Sequence, residues 1–211
     1  MDERITQAQL LCDRATFGGE TDLLPAADRA LDAAEADLAL ARGRVLHARF
    51  LQQREADVAE LAYFERAAGL YRALDDRRGE AEAEFWTGVY HQVVRGDHEA
   101  GLPALRRARD LATAAGDDRT LSYALRHLGI AAHMTGDLAA ARALLEESTR
   151  LRRELAFPAG VAANLVGLAH LAAADGRPAD AHALLDEAGA LAAVADAKAV
   201  LHSVEEARAA L

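Results

Sequence analysis

Turn residues recur along this chain at a fixed interval. Gly96-Asp97, Gly136-Asp137 and Gly176-Arg177 repeat with a period of about 40 residues, and Gly116-Asp117 falls midway between the first two. The same pair of core residues follows each of the three at the same offset: Leu105 and Ala108, Leu145 and Ser148, Leu185 and Ala188. A glycine just past a helix takes the left-handed cap conformation with no Cβ penalty, and an aspartate beside it accepts hydrogen bonds from the free amides that open the next helix. The spacing therefore predicts units of two antiparallel helices, each of roughly 15 to 18 residues, joined by very short turns. A repeated helical hairpin cannot bury its apolar face alone, so the units must stack on one another as a solenoid. The predicted fold class is all-α, with no room for a sheet.

Eleven helices fit the pattern along the chain. Ile5, Ala8, Leu11 and Ala15 mark a first helix over 2–17 that ends at Gly18-Gly19, and Thr21-Asp22 opens a second with Pro25 in its first turn. Helices over about 37–54 and 57–75 form a degenerate unit, with Ala48, Leu51, Phe64 and Ala67 near the core places. The next pair spans 77–95 and 97–115; Pro103 lies too deep for a free first-turn position, so that helix begins late or bends there. Helices over 118–135, 137–155, 159–175 and 178–193 follow, and 196–210 closes the chain. We read one elongated domain over 1–211: N-terminal half-units at 1–36, hairpin repeats at 37–76, 77–116, 117–156 and 157–195, and a capping helix at 196–211. If that last helix leaves Val200, Val204 and Ala207 unpacked, their stripe offers a homodimer contact.

Composition narrows the function classes. Hydrophobic residues are 52% of the chain and aromatics only 5%, so alanine and leucine supply the apolar content, as close-packed helices require. Asp and Glu number 34 against 24 Lys and Arg, a formal charge of −10, and residues 1–105 hold 20 of the acidic side chains against 12 basic ones. A net acidic surface repels nucleic-acid phosphates, and no helix-turn-helix with a basic recognition helix is visible, so no nucleic-acid partner is expected. Cys12 is the only cysteine, which excludes an internal disulfide and a cysteine-based zinc site. The first residues, Met-Asp-Glu-Arg, do not open a leader, and no apolar stretch is long enough to span a bilayer; the expectation is a cytoplasmic protein with no membrane partner.

The clearest unit places Leu125, Leu128, Gly129 and Ala132 on its first helix and Ala141, Leu145 and Ser148 on its second. The next repeats this with Leu165, Leu168, Ala169 and Ala172, then Ala181, Leu185 and Ala188, and the small residues let the helix axes approach closely. This alternation resembles the tetratricopeptide repeat family over roughly residues 44–195. The standard repeat is about 34 residues with a proline near its end, whereas these units run 40 or 41 and mostly lack that proline. The longer period resembles the extended-helix arrays of kinesin light chains, of Gram-positive peptide-sensing regulators and of actinobacterial regulators. The resemblance implies a right-handed superhelix and a non-catalytic, regulatory binding module that holds a peptide or partner protein in its concave groove.

In that family the ligand wall is built from the first helices, at five positions per unit. The resemblance puts Tyr123, Arg126, Ile130, His133 and Met134 there in one unit, and Ala163, Val166, His170, Ala173 and Ala174 in the next. For the preceding unit, counting back one full period gives Ala83, Trp86, Tyr90, Val93 and Val94, whereas aligning Gly88 with Gly129 gives Glu82, Phe85, Val89, Gln92 and Val93. We adopt the first frame, because it turns the amphipathic Trp86 and Tyr90 toward the groove; against it stands the reading in which both rings pack a second apolar stripe in the core. Arg126 is the expected anion anchor, since a guanidinium makes forked bonds to carboxylate or phosphate.

No two of the eight histidines are three or four apart and there is no His-Glu-x-x-His, so no metal site is expected; one would have to be assembled across helices from His91, His127, His133 and His170. The chain has no nucleophile motif, no phosphate loop and no paired carboxylates in register, and no cofactor is expected. The alternative to a peptide groove is a small-molecule site, in a sensor or an unusual enzyme, lined by Trp86, Tyr90, Arg126, His133 and His170, with His133 or His170 as the acid–base candidate.

Overall fold

A computed structural model describes residues 2–210. Among these there is no strand, and ten α-helices account for nearly all of the chain. The helices gather into two compact units, Met1–Ala115 and Gly116–Leu211.

The second unit keeps a strict metre. Helices α6 (Asp118–Met134), α7 (Leu138–Glu154), α8 (Pro158–Ala174) and α9 (Pro178–Val194) are each 17 residues long. Three-residue connections separate them, and α10 (Lys198–Ala210) follows. The middle residue of each connection is left-handed: Gly136, Ala156, Gly176 and Asp196. The hydrogen bonds at these four places are the same: the left-handed residue donates to a carbonyl three back (Gly136 to His133, Ala156 to Arg153), and the next residue donates to one five back (Asp137 to Ala132, Phe157 to Arg152). This doubly bonded cap satisfies the last carbonyls of each helix and turns the chain back on itself. Asp137 then accepts from the amide of Ala140, as the Gly-Asp reading predicts, whereas Pro158 and Pro178 open α8 and α9 from the first-turn position, where no backbone donor is needed. The core is built on Leu145, Leu165, Leu171 and Leu185 with Ala141, Ala169, Ala181 and Ala188 between them, all buried.

In the first unit α1 (Glu3–Gly18) lies on α2 (Leu24–Gln53), and α3 (Ala59–Ala73), α4 (Arg77–Val89) and α5 (His98–Ala115) follow. Between α4 and α5 the helix widens into a π-helical turn over Tyr90–Val94. Three expectations need correction here. The helix opened at Thr21-Asp22 and the one placed at 37–54 are, after a 3-10 turn over Thr21–Leu23, one 30-residue helix, so the described residues hold ten α-helices rather than eleven. Nothing between Pro25 and Gly43 breaks a helix, Ala36 is fully buried, and Arg4 of α1 donates to the Ala33 carbonyl and to Asp37 across the supposed boundary. The core places on α2 are Gly43, His47 and Phe50, while Ala48 and Leu51 are exposed; on α3, Phe64 and Ala67 are buried as expected. Helix α5 does not begin late: it starts at His98, capped by Asp97 accepting from Ala100, and Pro103 sits inside it.

At the other end of the chain α10 packs into its own unit. Val204 and Ala207 are buried and Val200 is half-buried against the α8–α9 core, so the stripe considered for dimerisation is already occupied.

Candidate functional site

The residues singled out from the sequence fall into two groups, one in each unit. In the first, α4 sets the frame. Asp76 caps α4 and Asp117 caps α6. The interval between these caps, like that from Gly88 to Gly129, is one residue longer than the interval between Gly96 and Gly136, the left-handed glycines that follow the same helices. The π-turn between Gly88 and Gly96 absorbs the difference. Up to that turn the frame aligning Gly88 with Gly129 therefore holds, and Trp86 is the counterpart of His127, not of Arg126. Trp86 is half-buried; its ring stacks on Phe64 at 5.8 Å, meets the edges of His47 at 5.2 Å and Phe85 at 5.1 Å, and lies under the Arg44 guanidinium at 5.7 Å. Tyr90, in the first position of the π-turn, is buried among the α2–α3 core residues, and Val93 is half-buried.

In the second unit Tyr123, Arg126, Ile130 and His133 of α6 and Val166 and His170 of α8 are all half-buried, and the two helices pack on each other. Arg126 crosses between them: its Nη1 donates to the Ala163 carbonyl at 2.7 Å and to Asn164 Oδ1 at 3.1 Å. Farther along, burial lowers the pKa of His170 and the nearby His133 lowers it further.

Behind Arg126 lies a polar network that the sequence reading did not single out. Arg152, on the last turns of α7, is 1% exposed. Its Nη1 donates to the Gly160 carbonyl at 2.8 Å and to the same Asn164 Oδ1 at 2.9 Å. Asn164 in turn donates to Ser148 Oγ at 2.8 Å, and Ser148 donates to the Ser122 carbonyl at 2.6 Å. The Arg152 guanidinium is held 4.9 Å from the Tyr123 ring and 5.6 Å from Phe157, and the exposed Arg119 lies over the same Phe157 ring at 5.1 Å. Arg152 Nη2 has no hydrogen-bond partner. One signal was present in the sequence: Asn164 and His170 are the only polar side chains on α8, and a lone asparagine on a buried face must find partners.

The electrostatics of this cluster are unusual for an acidic chain. Arg142, Arg150, Arg153 and Arg208 in the same unit each bond a carboxylate. No ion pair among the described residues involves Arg119, Arg126 or Arg152. Burial pushes Arg126 down to about 10. It pushes Arg152 down to about 9, with the positive charges of Arg126 and Arg119 adding to the shift. Both stay protonated at neutral pH, as cations short of a counter-ion.

No group of three or more His, Cys, Asp or Glu among the described residues is arranged to hold a metal ion. Nor is any described helix long and apolar enough to cross a membrane.

In the second unit, helical hairpins of constant length, with small residues where the helices cross and polar groups gathered on one wall, define a helical-repeat scaffold. The comparison with known families agrees: residues 88–154 match the model described as tetratricopeptide repeat, and this stretch of the chain is tetratricopeptide-repeat sequence. Repeats of this kind generally mediate protein–protein interactions, in keeping with a binding module. No curated protein matches the chain.

Proposed function

We propose that the Gly116–Leu211 unit is a non-catalytic binding surface for a peptide or partner segment that presents a carboxylate, seated on the wall formed by α6 and α8. The observation that carries this reading is the uncompensated charge of Arg126 and Arg152. Two acceptors on Nη1 fix the Arg126 guanidinium and leave Nε and Nη2 for a ligand. Arg152 behind it adds attraction in a medium where water screens poorly. Tyr123, Ile130 and Val166 supply apolar contact beside the anchor, and His133 and His170 a polar margin. The chain's charge of −10 repels strongly acidic partners at long range, so the fit is best for a single terminal carboxylate on an otherwise neutral or basic segment.

The test is a binding screen by fluorescence anisotropy, using peptides with a free C-terminal carboxylate and the same peptides amidated. Amidation and Arg126→Ala are each expected to weaken a hit by about 1.5 to 3 kcal/mol, the scale of a charge-assisted hydrogen bond, with the helical content of the chain unchanged. Hits that bind equally well as amides and survive Arg126→Ala sink the proposal.

A further inference from the structure

Helix α2 carries a second apolar stripe, separate from the face that packs on α3 through Leu40, Gly43, His47 and Phe50. Leu24, Leu31, Leu38 and Val45 recur every seven residues and are 42, 43, 55 and 52% exposed. An alanine stands three residues after each, at 27, 34, 41 and 48; Ala27 is buried, Ala34 half-buried, and Ala41 and Ala48 are exposed. Apolar residues alternately three and four apart, from Leu24 to Ala48, are the pattern of a helix that packs lengthwise on another helix, and the small alanines allow a close approach. Beside the stripe an open groove of about 490 Å³ runs between α2 and α3, lined by Leu38, Ala41, Val45, Leu46 and Tyr63 among others. A row of exposed leucines along a groove is the kind of surface that marks an interface.

The charges flanking the stripe say what fits it. Asp28, Glu35, Arg42 and Arg49 are also spaced by seven, and all four are exposed. The first two are acidic and the last two basic, so this edge of α2 complements a reversed copy of itself. In an antiparallel pairing Asp28 meets Arg49, and Glu35, which also bonds Arg66, meets Arg42 of the other copy; two-fold symmetry repeats each pair. On the opposite edge Asp37 faces its own symmetry mate, but its carboxylate is already bonded by Arg4 and by the Tyr71 hydroxyl. A parallel pairing sets Asp37 against Arg42 but Arg44 against Arg49, so that an attraction is offset by a repulsion.

We propose that a second copy of this chain occupies the stripe, forming a two-fold dimer through antiparallel packing of α2 on α2. Nothing in this contact involves the Arg126 wall, so the two proposals stand or fall separately. Sedimentation velocity on the full chain, from about 1 to 100 µM at low salt, is the test; a dimer is expected over the upper part of that range. Leu38→Glu, at an exposed position, is expected to give a monomer with an unchanged thermal melt. Arg49→Glu is expected to raise the dimer dissociation constant about tenfold by setting two carboxylates against each other where Asp28 now meets a guanidinium, and the double variant Asp28→Arg with Arg49→Glu to restore most of the loss. A chain that is monomeric throughout, a dimer indifferent to Leu38→Glu, or an Arg49→Glu defect that the double variant does not repair each overturns the proposal; the last outcome points to a different partner segment on the same stripe.

Discussion

The carbonyl oxygen of Gly88 lies 2.8 Å from the point where a Cβ on Gly101 would stand. Helices α4 and α5 therefore cross with backbone almost on backbone, and only hydrogen fits between them. Gly101→Ala is expected to force the pair apart at a cost on the order of 1 to 3 kcal/mol. Gly69, in the interior of α3, has nothing within 4 Å of its would-be Cβ, and there the same substitution is expected to stabilise by about 0.5 to 1 kcal/mol through helix propensity alone. Paired thermal melts of the two variants check the assignment, and equal shifts would contradict it.

In the second unit the equivalent crossing is looser but still tight. A Cβ on Gly129 would sit 3.1 Å from Leu145 Cγ and 3.3 Å from the Ala141 carbonyl. Gly129→Leu and Ala141→Leu are each expected to lower stability on the order of 1 to 3 kcal/mol by overpacking. Denaturant titrations of both would show it, and a variant as stable as the parent would mean that the packing face has been misassigned.

Ala156 takes the left-handed conformation, φ 50°, in a cap whose hydrogen bonds match those at Gly136 and Gly176. A side chain costs roughly 1 to 2 kcal/mol there, and glycine returns part of the gain as unfolded-state entropy. Ala156→Gly is expected to stabilise by about 0.5 to 1 kcal/mol, and Gly136→Ala to destabilise by a similar amount. Chemical denaturation of the two variants should shift in opposite directions.

Glu80 and Glu84, one turn apart on α4, should respond to acid with opposite signs. Burial pushes both carboxyls up. At Glu80 the guanidiniums of Arg107 and Arg72 outweigh it and hold the group below its ordinary range. At Glu84 the same arginines do not, and the group stays above it. The stability from Glu80 is present above the ordinary carboxylate range and lost as pH falls through its lowered folded value; the penalty from charged Glu84 is present at neutral pH and relieved as pH falls through its raised one. Glu80→Gln should therefore cost about 1 to 3 kcal/mol at pH 7, with the difference from the parent vanishing toward pH 3. Glu84→Gln should cost less or nothing at pH 7. Melting temperatures from about pH 3 to 8 for both variants decide the matter.

Much of the fold was legible because turns and small residues declare themselves at fixed offsets. The glycine pairs located four connections, and Gly129, Ala141, Ala169 and Ala181 located the crossings. What stayed hidden had no local signature. Ala156 and Asp196 end helices in the same geometry as glycine, with no glycine to mark the place. The fusion of two expected helices into α2 hides for the complementary reason, since the absence of a breaker is easily overlooked when a period suggests a boundary. Of the candidate site, Arg126 was singled out from its place on the repeat; Arg152 was not, because a charged residue near a helix end reads as a solvated terminus until the fold buries it.

The π-turn at Tyr90–Val94 bears on how such a chain tolerates change in length. An extra residue in a plain α-helix would rotate everything after it by about 100° and carry its core positions off the packing face. Here the surplus is wound into one wide loop of backbone, and the segment beyond it resumes its metre as though nothing had been inserted. Repeat arrays that lengthen by single residues as well as by whole units thus have a built-in place for the error to stop, and adding one residue to a neighbouring repeat should succeed at the position matching Tyr90 and fail nearer the helix crossing at Gly88.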